Sequence, residues 1–198
     1  MNYKKRIILA ITVISILTLS FFVVLHYKAK APNQLKGWTL KQKIGQLMMV
    51  NFNGTEPDYY VNKMILERNL GGVILMGANI KDNDQVKVLT NALQYNTTVN
   101  EKQIPLFIAI DQEGGQVARL KDVNSVAQKD LNSEEQAQKI AKNRGEQLKN
   151  LGININFSPV LDFSDNNKSF IYNRTFQKDL NQSIQNILLH NQRFQNLL

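Results

Sequence analysis

The chain reads as an α/β protein built on a parallel sheet, and three observations carry that reading. Its 198 residues contain four short apolar runs without strict polar alternation, the pattern of strands covered on both faces. Between the runs lie segments whose apolar residues recur at helical spacing. Glycine, proline and helix-capping residues punctuate the joints, so strand and helix alternate along the chain.

The elements follow in order. Residues 31–38 are a short polar linker containing Pro32. Thr39 caps a helix over 40–47 with Ile44 and Leu47 on one face. Residues 47–52 form a first strand, closed by the turn Asn53-Gly54. An amphipathic helix over 57–69 is expected to turn Tyr60, Met64 and Leu66 inward. Residues 71–76 form a second strand ended by Gly77. Asp82 or Asp84 opens a helix to about Val99 with Val86, Leu89 and Leu93 inward. The third strand covers 106–110, with Pro105 at its first position. Ser133-Glu-Glu-Gln136 has the capping-box pattern and begins a helix to about Leu151, stopped by Gly152. Residues 153–157 form a fourth strand, and 183–194 a last amphipathic helix. Parallel strands joined by right-handed crossovers fit either a doubly wound open sheet or part of a (β/α)8 barrel. Periodicity does not separate the two. No glycine-rich phosphate loop follows any strand, so an open sheet would lack its commonest use.

Charge and composition exclude several classes. The formal net charge of +8 is concentrated at the start: residues 1–30 hold five basic residues and no acid, leaving 19 basic and 16 acidic residues beyond them. That balance, with no basic helix carrying interleaved aromatics, argues against nucleic acid as a partner. With no cysteine there is no disulfide, thiolate metal site or cysteine nucleophile. Residues 7–25 are an unbroken run of apolar and small hydroxylated residues, nearly long enough as a helix to span a bilayer core. Lys4, Lys5 and Arg6 precede the run and favour a cytoplasmic N-terminus. Ala29-Lys30-Ala31 has the form of a signal-peptidase site, but the run is longer than a signal core and lysines crowd the site. Residues 1–30 are therefore expected to be a membrane anchor or signal peptide, the uncleaved anchor favoured, with the folded part extracytoplasmic.

The segment after the third strand carries the chemistry. Asp111 stands where the strand ends, the edge at which α/β proteins bind ligands. Gly114 and Gly115 allow a sharp turn, and Arg119 returns a planar donor fork to the same mouth. An acid that accepts hydroxyl hydrogens beside an arginine that donates suits a polyhydroxylated ligand such as a sugar. The same residues also fit a helix N-terminus dressed with acids, which its dipole favours. Local pattern leaves both readings open.

Four segments stand out together: Lys43-Ile-Gly-Gln-Leu-Met-Met-Val50, Gly71-Gly-Val-Ile-Leu-Met76, Ile108-Ala-Ile-Asp-Gln-Glu-Gly-Gly-Gln-Val-Ala-Arg-Leu120 and Gly152-Ile-Asn-Ile-Asn-Phe-Ser-Pro-Val-Leu-Asp162. In this order they resemble glycoside hydrolase family 3, in the branch of bacterial β-N-acetylglucosaminidases (β-N-acetylhexosaminidases). Asn173-Arg174-Thr175-Phe176 resembles the family's Asp-Arg-Ser-Phe element in altered form. The resemblance implies a (β/α)8 barrel and a retaining glycosidase that removes terminal N-acetylglucosamine from cell-wall muropeptides or other amino-sugar glycans, with no metal and no cofactor. It implies that Asp111 accepts hydrogen bonds from sugar hydroxyls and that Arg119 and Arg174 donate to sugar oxygens. Glu113, Gly114 and Gly115 would shape the loop beneath the ring, and Asp162 would organise the mouth.

The resemblance also implies a nucleophilic aspartate late in the barrel and a histidine proton donor in a Lys-His-Phe-Pro-Gly-His-Gly loop, and neither segment occurs here. The histidines are His26, beside the apolar run, and His190, on a polar-flanked helix away from any motif. No catalytic residue is therefore expected in this chain. Residues 39–198 are expected to form the N-terminal half of a barrel, about four β/α units. The expected partners are an amino-sugar glycan, the membrane through residues 7–25, and the other half-barrel as a separate chain. The expected function is that of an inactive or split glycosidase fragment, or of a non-catalytic membrane-anchored sugar-binding remnant.

Overall fold

The structure is a computed structural model and describes residues 35–99 and 104–176, together with Thr12 and Ser15. The chain divides into two units, Met1–Gly37 and Trp38–Leu198. The expected membrane segment at 7–25, the expected last helix at 183–194, His26 and His190 lie outside the described residues, apart from Thr12 and Ser15. Among the described residues no helix is long and apolar enough to cross a membrane.

The second unit begins at buried Trp38 and continues into helix α1 (Leu40–Gln46). Thr39 caps α1 reciprocally: its hydroxyl accepts from the Gln42 amide, and the Gln42 side chain accepts from the Thr39 amide at 2.9 Å. Strand β1 (Met49–Val50) follows, then α2 (Tyr59–Arg68), capped by Asp58, which accepts from the Val61 amide at 2.7 Å. Here the expected inward face needs correction. Val61 and Ile65 are the buried residues of α2, whereas Tyr60 is 75% and Leu66 37% exposed. Apolar residues almost encircle this helix, so its orientation is chosen by packing. Met64 flanks the core, and Tyr60 turns out to pair edge-on with Tyr59, ring centres 5.5 Å apart.

Strand β2 (Gly72–Leu75), helix α3 (Asn83–Thr98) and strand β3 (Phe107–Ile110) come next. Asp82 caps α3, and Val86, Leu89 and Leu93 face inward as expected. After β3 the chain makes an antiparallel hairpin, β4 (Gln112–Gly114) with β5 (Val117–Ala118). The helix-start reading of this segment is thereby replaced. Helix α4 (Glu134–Asn150) then leads to β6 (Ile155–Asn156). Ser133 caps α4 by accepting from the Gln136 amide, but the Gln136 side chain accepts from the Asn132 amide at 2.8 Å and leaves the box unclosed.

The main sheet has order β1-β2-β3-β6, with every pair parallel. Doubly wound sheets reverse their strand order at a switch point. These four strands sit side by side in chain order, as in a barrel wall. Alternation along the strands sends Val73, Leu75, Ile108 and Ile110 to the helix side, where they are buried with Ile65 and Leu89. The registers Gly72↔Phe107 and Ala109↔Ile155 put the intervening residues on the opposite face. That face is open at two points among the described residues: Phe107, expected to be covered, is 55% exposed and Phe157 47%, while Ala109 on the same face is buried.

Candidate functional site

Strand β3 delivers Asp111 to the carboxyl end of the sheet, and the next residue fixes what surrounds it. Gln112 is fully buried. Its side-chain amide donates to the Leu120 carbonyl at 2.9 Å and accepts from the amides of Arg119 at 2.8 Å and Leu120 at 3.0 Å. One glutamine thus clamps the outgoing and returning chain together and brings Arg119 beside Asp111. The Arg119 Nη2 lies 3.6 Å from Asp111 Oδ2, an ion pair longer than a hydrogen bond, with both side chains partly open to solvent. Arg119 Nε is buried and makes no hydrogen bond. An orphaned donor costs about 1–3 kcal/mol.

Strand β6 holds β3 in place with side chains as well as backbone. Asn156 accepts from the Gln112 amide at 2.9 Å and donates to the Gln112 carbonyl at 3.0 Å. Asn154 does the same to the Ile108 amide and the Leu106 carbonyl, at 2.7 and 2.9 Å. The two carboxamides act as extra peptide groups in the ladder.

Glu113 was expected in a loop beneath the ligand. It lies instead in β4, buried, and Arg174 grips it with two parallel bonds: Nε to Oε2 at 3.0 Å and Nη2 to Oε1 at 2.6 Å. The Glu113 hydrogen bond holds the Arg174 guanidinium above its already high pKa; burial opposes this, and the charges of Glu113, Asp162 and Asp111 add to it. Arg174 was expected to give its donors to a sugar. Two of its five N–H groups are committed to Glu113. Asp162 was expected to organise the mouth. It lies beyond β6 in an exposed loop.

The two glycines have separate constraints. Gly114 has φ +93°, and a Cβ there would meet the Val126 oxygen at 2.0 Å and Arg144 Nη2 at 2.9 Å. Gly115 has φ +61°, and a Cβ would press on Ala127 Cβ at 2.8 Å. Both positions require glycine.

Sequence reasoning passed over three residues that build this site. Gln128 accepts from the Val160 amide at 2.6 Å and donates to the carbonyls of Val160 and Arg174, both at 3.1 Å, tying the loop after β6 to the Arg174 segment. Gln112 is the second. Arg144 is the third: fully buried, it donates to the carbonyls of Asn124, Glu113 and Val126 at 2.9, 2.9 and 2.8 Å. Burial pushes its pKa down to about 10, so it stays charged at neutral pH. A signal existed, since Arg144 interrupts the inward stripe Ile140, Ala141, Gly145, Leu148 of α4. Among the described residues no group of three or more His, Cys, Asp or Glu side chains could hold a metal ion. A groove of about 410 Å³ between the loop at Thr55–Pro57 and α3 is lined by none of the residues around Asp111 and Arg174.

Residues 39–187 match the glycosyl hydrolase family 3 N terminal domain. The chain is 36% identical over 129 residues to beta-hexosaminidase A of Pseudoalteromonas piscicida, a match covering 60% of this chain and 22% of that protein. It is 29% identical over 144 residues to the beta-hexosaminidase of Bordetella pertussis, covering 67% of this chain and 40% of that one. A glycoside hydrolase family 3 beta-N-acetylglucosaminidase from Paenibacillus sp. str. FPU-7 superposes with a TM-score of 0.74 at 34% identity, over 81% of this chain and 32% of that structure. The match thus spans two fifths or less of the length of each of these relatives.

Proposed function

Because this chain belongs to glycosyl hydrolase family 3, we propose that it builds the sugar subsite of a β-N-acetylhexosaminidase-type glycoside hydrolase acting on terminal N-acetylglucosamine in cell-wall or other amino-sugar glycans. The observation that carries this reading is the pairing of Asp111 with Arg119, beside the Glu113–Arg174 pair, at the carboxyl end of a parallel sheet. Asp111 accepts hydrogen bonds from the ring hydroxyls. Arg119, through its outer edge, and Arg174, through Nη1, donate to ring oxygens. Glu113 neutralises and orients Arg174, Gly114 and Gly115 let the hairpin pass beneath, and Asp162 lines the rim.

The chain binds the sugar ring and leaves the bond-breaking groups to another segment. A retaining glycosidase in the usual design needs a carboxylate nucleophile and an acid about 5–5.5 Å apart. Glu113 is buried and doubly bonded to Arg174, so it is a poor nucleophile, and Asp111 serves the ring hydroxyls. The rest of the barrel would supply both groups and cover the sheet face at Phe107 and Phe157. Residues 7–25 anchor the assembly in a membrane, uncleaved, with the site on the extracytoplasmic side. Membrane fractionation and protease protection test that placement; a soluble chain lacking its first residues would refute the anchor.

Turnover of a chromogenic N-acetylglucosaminide tests the functional reading. Residues 1–198 alone should give none, and co-expression with the other half of the barrel should restore it. Turnover by the chain alone would show that the bond-breaking groups are present after all.

A further inference from the structure

We propose that Arg144 is a positioning residue for the sugar subsite: it sets the Glu113 backbone from beneath the hairpin and, through Glu113, fixes the Arg174 guanidinium. The inference rests on the proposed sugar subsite for its ligand and on the geometry alone for its mechanism.

The three carbonyls held by Arg144 come from separate stretches of chain. Glu113 belongs to β4, whereas Asn124 and Val126 belong to the loop after β5. The same loop is tied to α4 a second time, where Gln147 accepts from the Asn124 amide at 2.8 Å. It is tied to the hairpin where the Gly115 amide donates to the Ser125 carbonyl at 2.7 Å. Arg144 is thus the pin through hairpin, loop and helix. An apolar side chain would fill the same volume without burying a charge. What an apolar residue lacks is the rigid planar fork that reaches three fixed acceptors at once, and lysine lacks it too.

The lever to the site is short. The Glu113 carbonyl accepts from Arg144 Nη1, and the carboxylate of the same residue receives both bonds from Arg174. A shift of the Glu113 backbone therefore carries the carboxylate and Arg174 with it. Gly114 tightens the arrangement, because its Cα lies so close that even a methyl would meet Arg144.

The experiment uses the full chain and two readouts. Hydrogen exchange at the Arg174 Nε–H, assigned by its loss in Arg174→Lys, reports the Glu113–Arg174 pair without any sugar. N-acetylglucosamine affinity reports the site. In Arg144→Lys the Arg174 Nε–H should exchange faster, and affinity should fall about tenfold. Combining Arg144→Lys with Glu113→Gln should cost no more affinity than the worse single change, since both act through one group. Leu148→Ala, a core control on the same helix, should lower the melting temperature and move neither readout. Unchanged Arg174 exchange in a folded Arg144→Lys protein overturns the proposal. If Arg144→Lys does not fold, Arg144→Gln is scored in the same way; failure of both to fold shows a purely structural arginine and also overturns it. If exchange responds but the wild type binds no N-acetylglucosamine, the sugar-subsite reading fails while the positioning role stands.

Discussion

Replacing Gly114 by alanine strikes the hairpin where space and conformation are both exhausted. At φ +93° an added Cβ lies 2.0 Å from the Val126 oxygen, 2.6 Å from its carbon and 2.9 Å from Arg144 Nη2. None of these is the tip of a movable side chain except the guanidinium, which is itself fixed by three carbonyls. Alanine at positive φ costs about 1–2 kcal/mol. Moving the loop away strains the Arg144 bonds to Val126 and Glu113, and a lost bond from a charged donor costs about 1.5–3 kcal/mol. Loss of both brings the total to about 4–8 kcal/mol, against a whole-domain stability of about 5–15 kcal/mol. The melting temperature, followed by circular dichroism, should then fall by roughly 10–30 °C. Two controls bracket the effect. Gly115→Ala, at φ +61° with only Ala127 in the way, should cost about 1–3 kcal/mol. Gly77→Ala, with nothing within 4 Å and no positive φ, should be nearly neutral. A Gly114→Ala protein within about 1 kcal/mol of wild type refutes the packing described here.

Other outcomes follow from the same geometry. Glu113→Ala strands Arg174, but that guanidinium is 28% exposed and water takes up part of its charge, so urea denaturation should show a loss of about 2–3 kcal/mol, below the range for fully buried pairs. Asn156→Leu removes both side-chain bonds to the Gln112 peptide and should cost about 2–4 kcal/mol in the same assay. Val61→Ala should cost about 1.5–3 kcal/mol, and Tyr60→Ala no more than about 0.5 kcal/mol; the reverse order would restore the sequence-derived phase of α2. Burial lowers the Arg144 pKa from its ordinary value to about 10, so above about pH 10 the unfolded chain holds more protons and the Arg144 contribution to stability rises with pH there. Below that window both states are fully protonated. The stability difference between wild type and Arg144→Met should therefore be flat across roughly pH 5–8 in denaturation curves.

Local chemistry made much of this fold legible. Thr39 and Ser133 mark helix starts because a hydroxyl before an apolar stripe satisfies orphaned amides. Residues 72–75 and 107–110 show as strands because both ends are punctuated and the interior is apolar. Asp111 was recognisable from its place at a strand end. The hairpin was not, because β5 is two residues long and its partners are chosen by Gln112, whose three bonds all go to backbone groups of the return chain. Arg144 was obscured for a related reason. Its acceptors are carbonyls 18 to 31 residues away, and carbonyls leave no mark in a side-chain pattern. Glu113 was visible as an acid near the site, but its role depends on Arg174, 61 residues further on.

The central claim is that Asp111, Arg119 and Arg174 form a sugar subsite. Isothermal titration of the full chain with N-acetylglucosamine, alongside Asp111→Asn, tests it most directly. Saturable binding by the wild type and an affinity at least about tenfold weaker in the variant is the result expected. No binding by the folded wild type, or equal binding by both proteins, would contradict it.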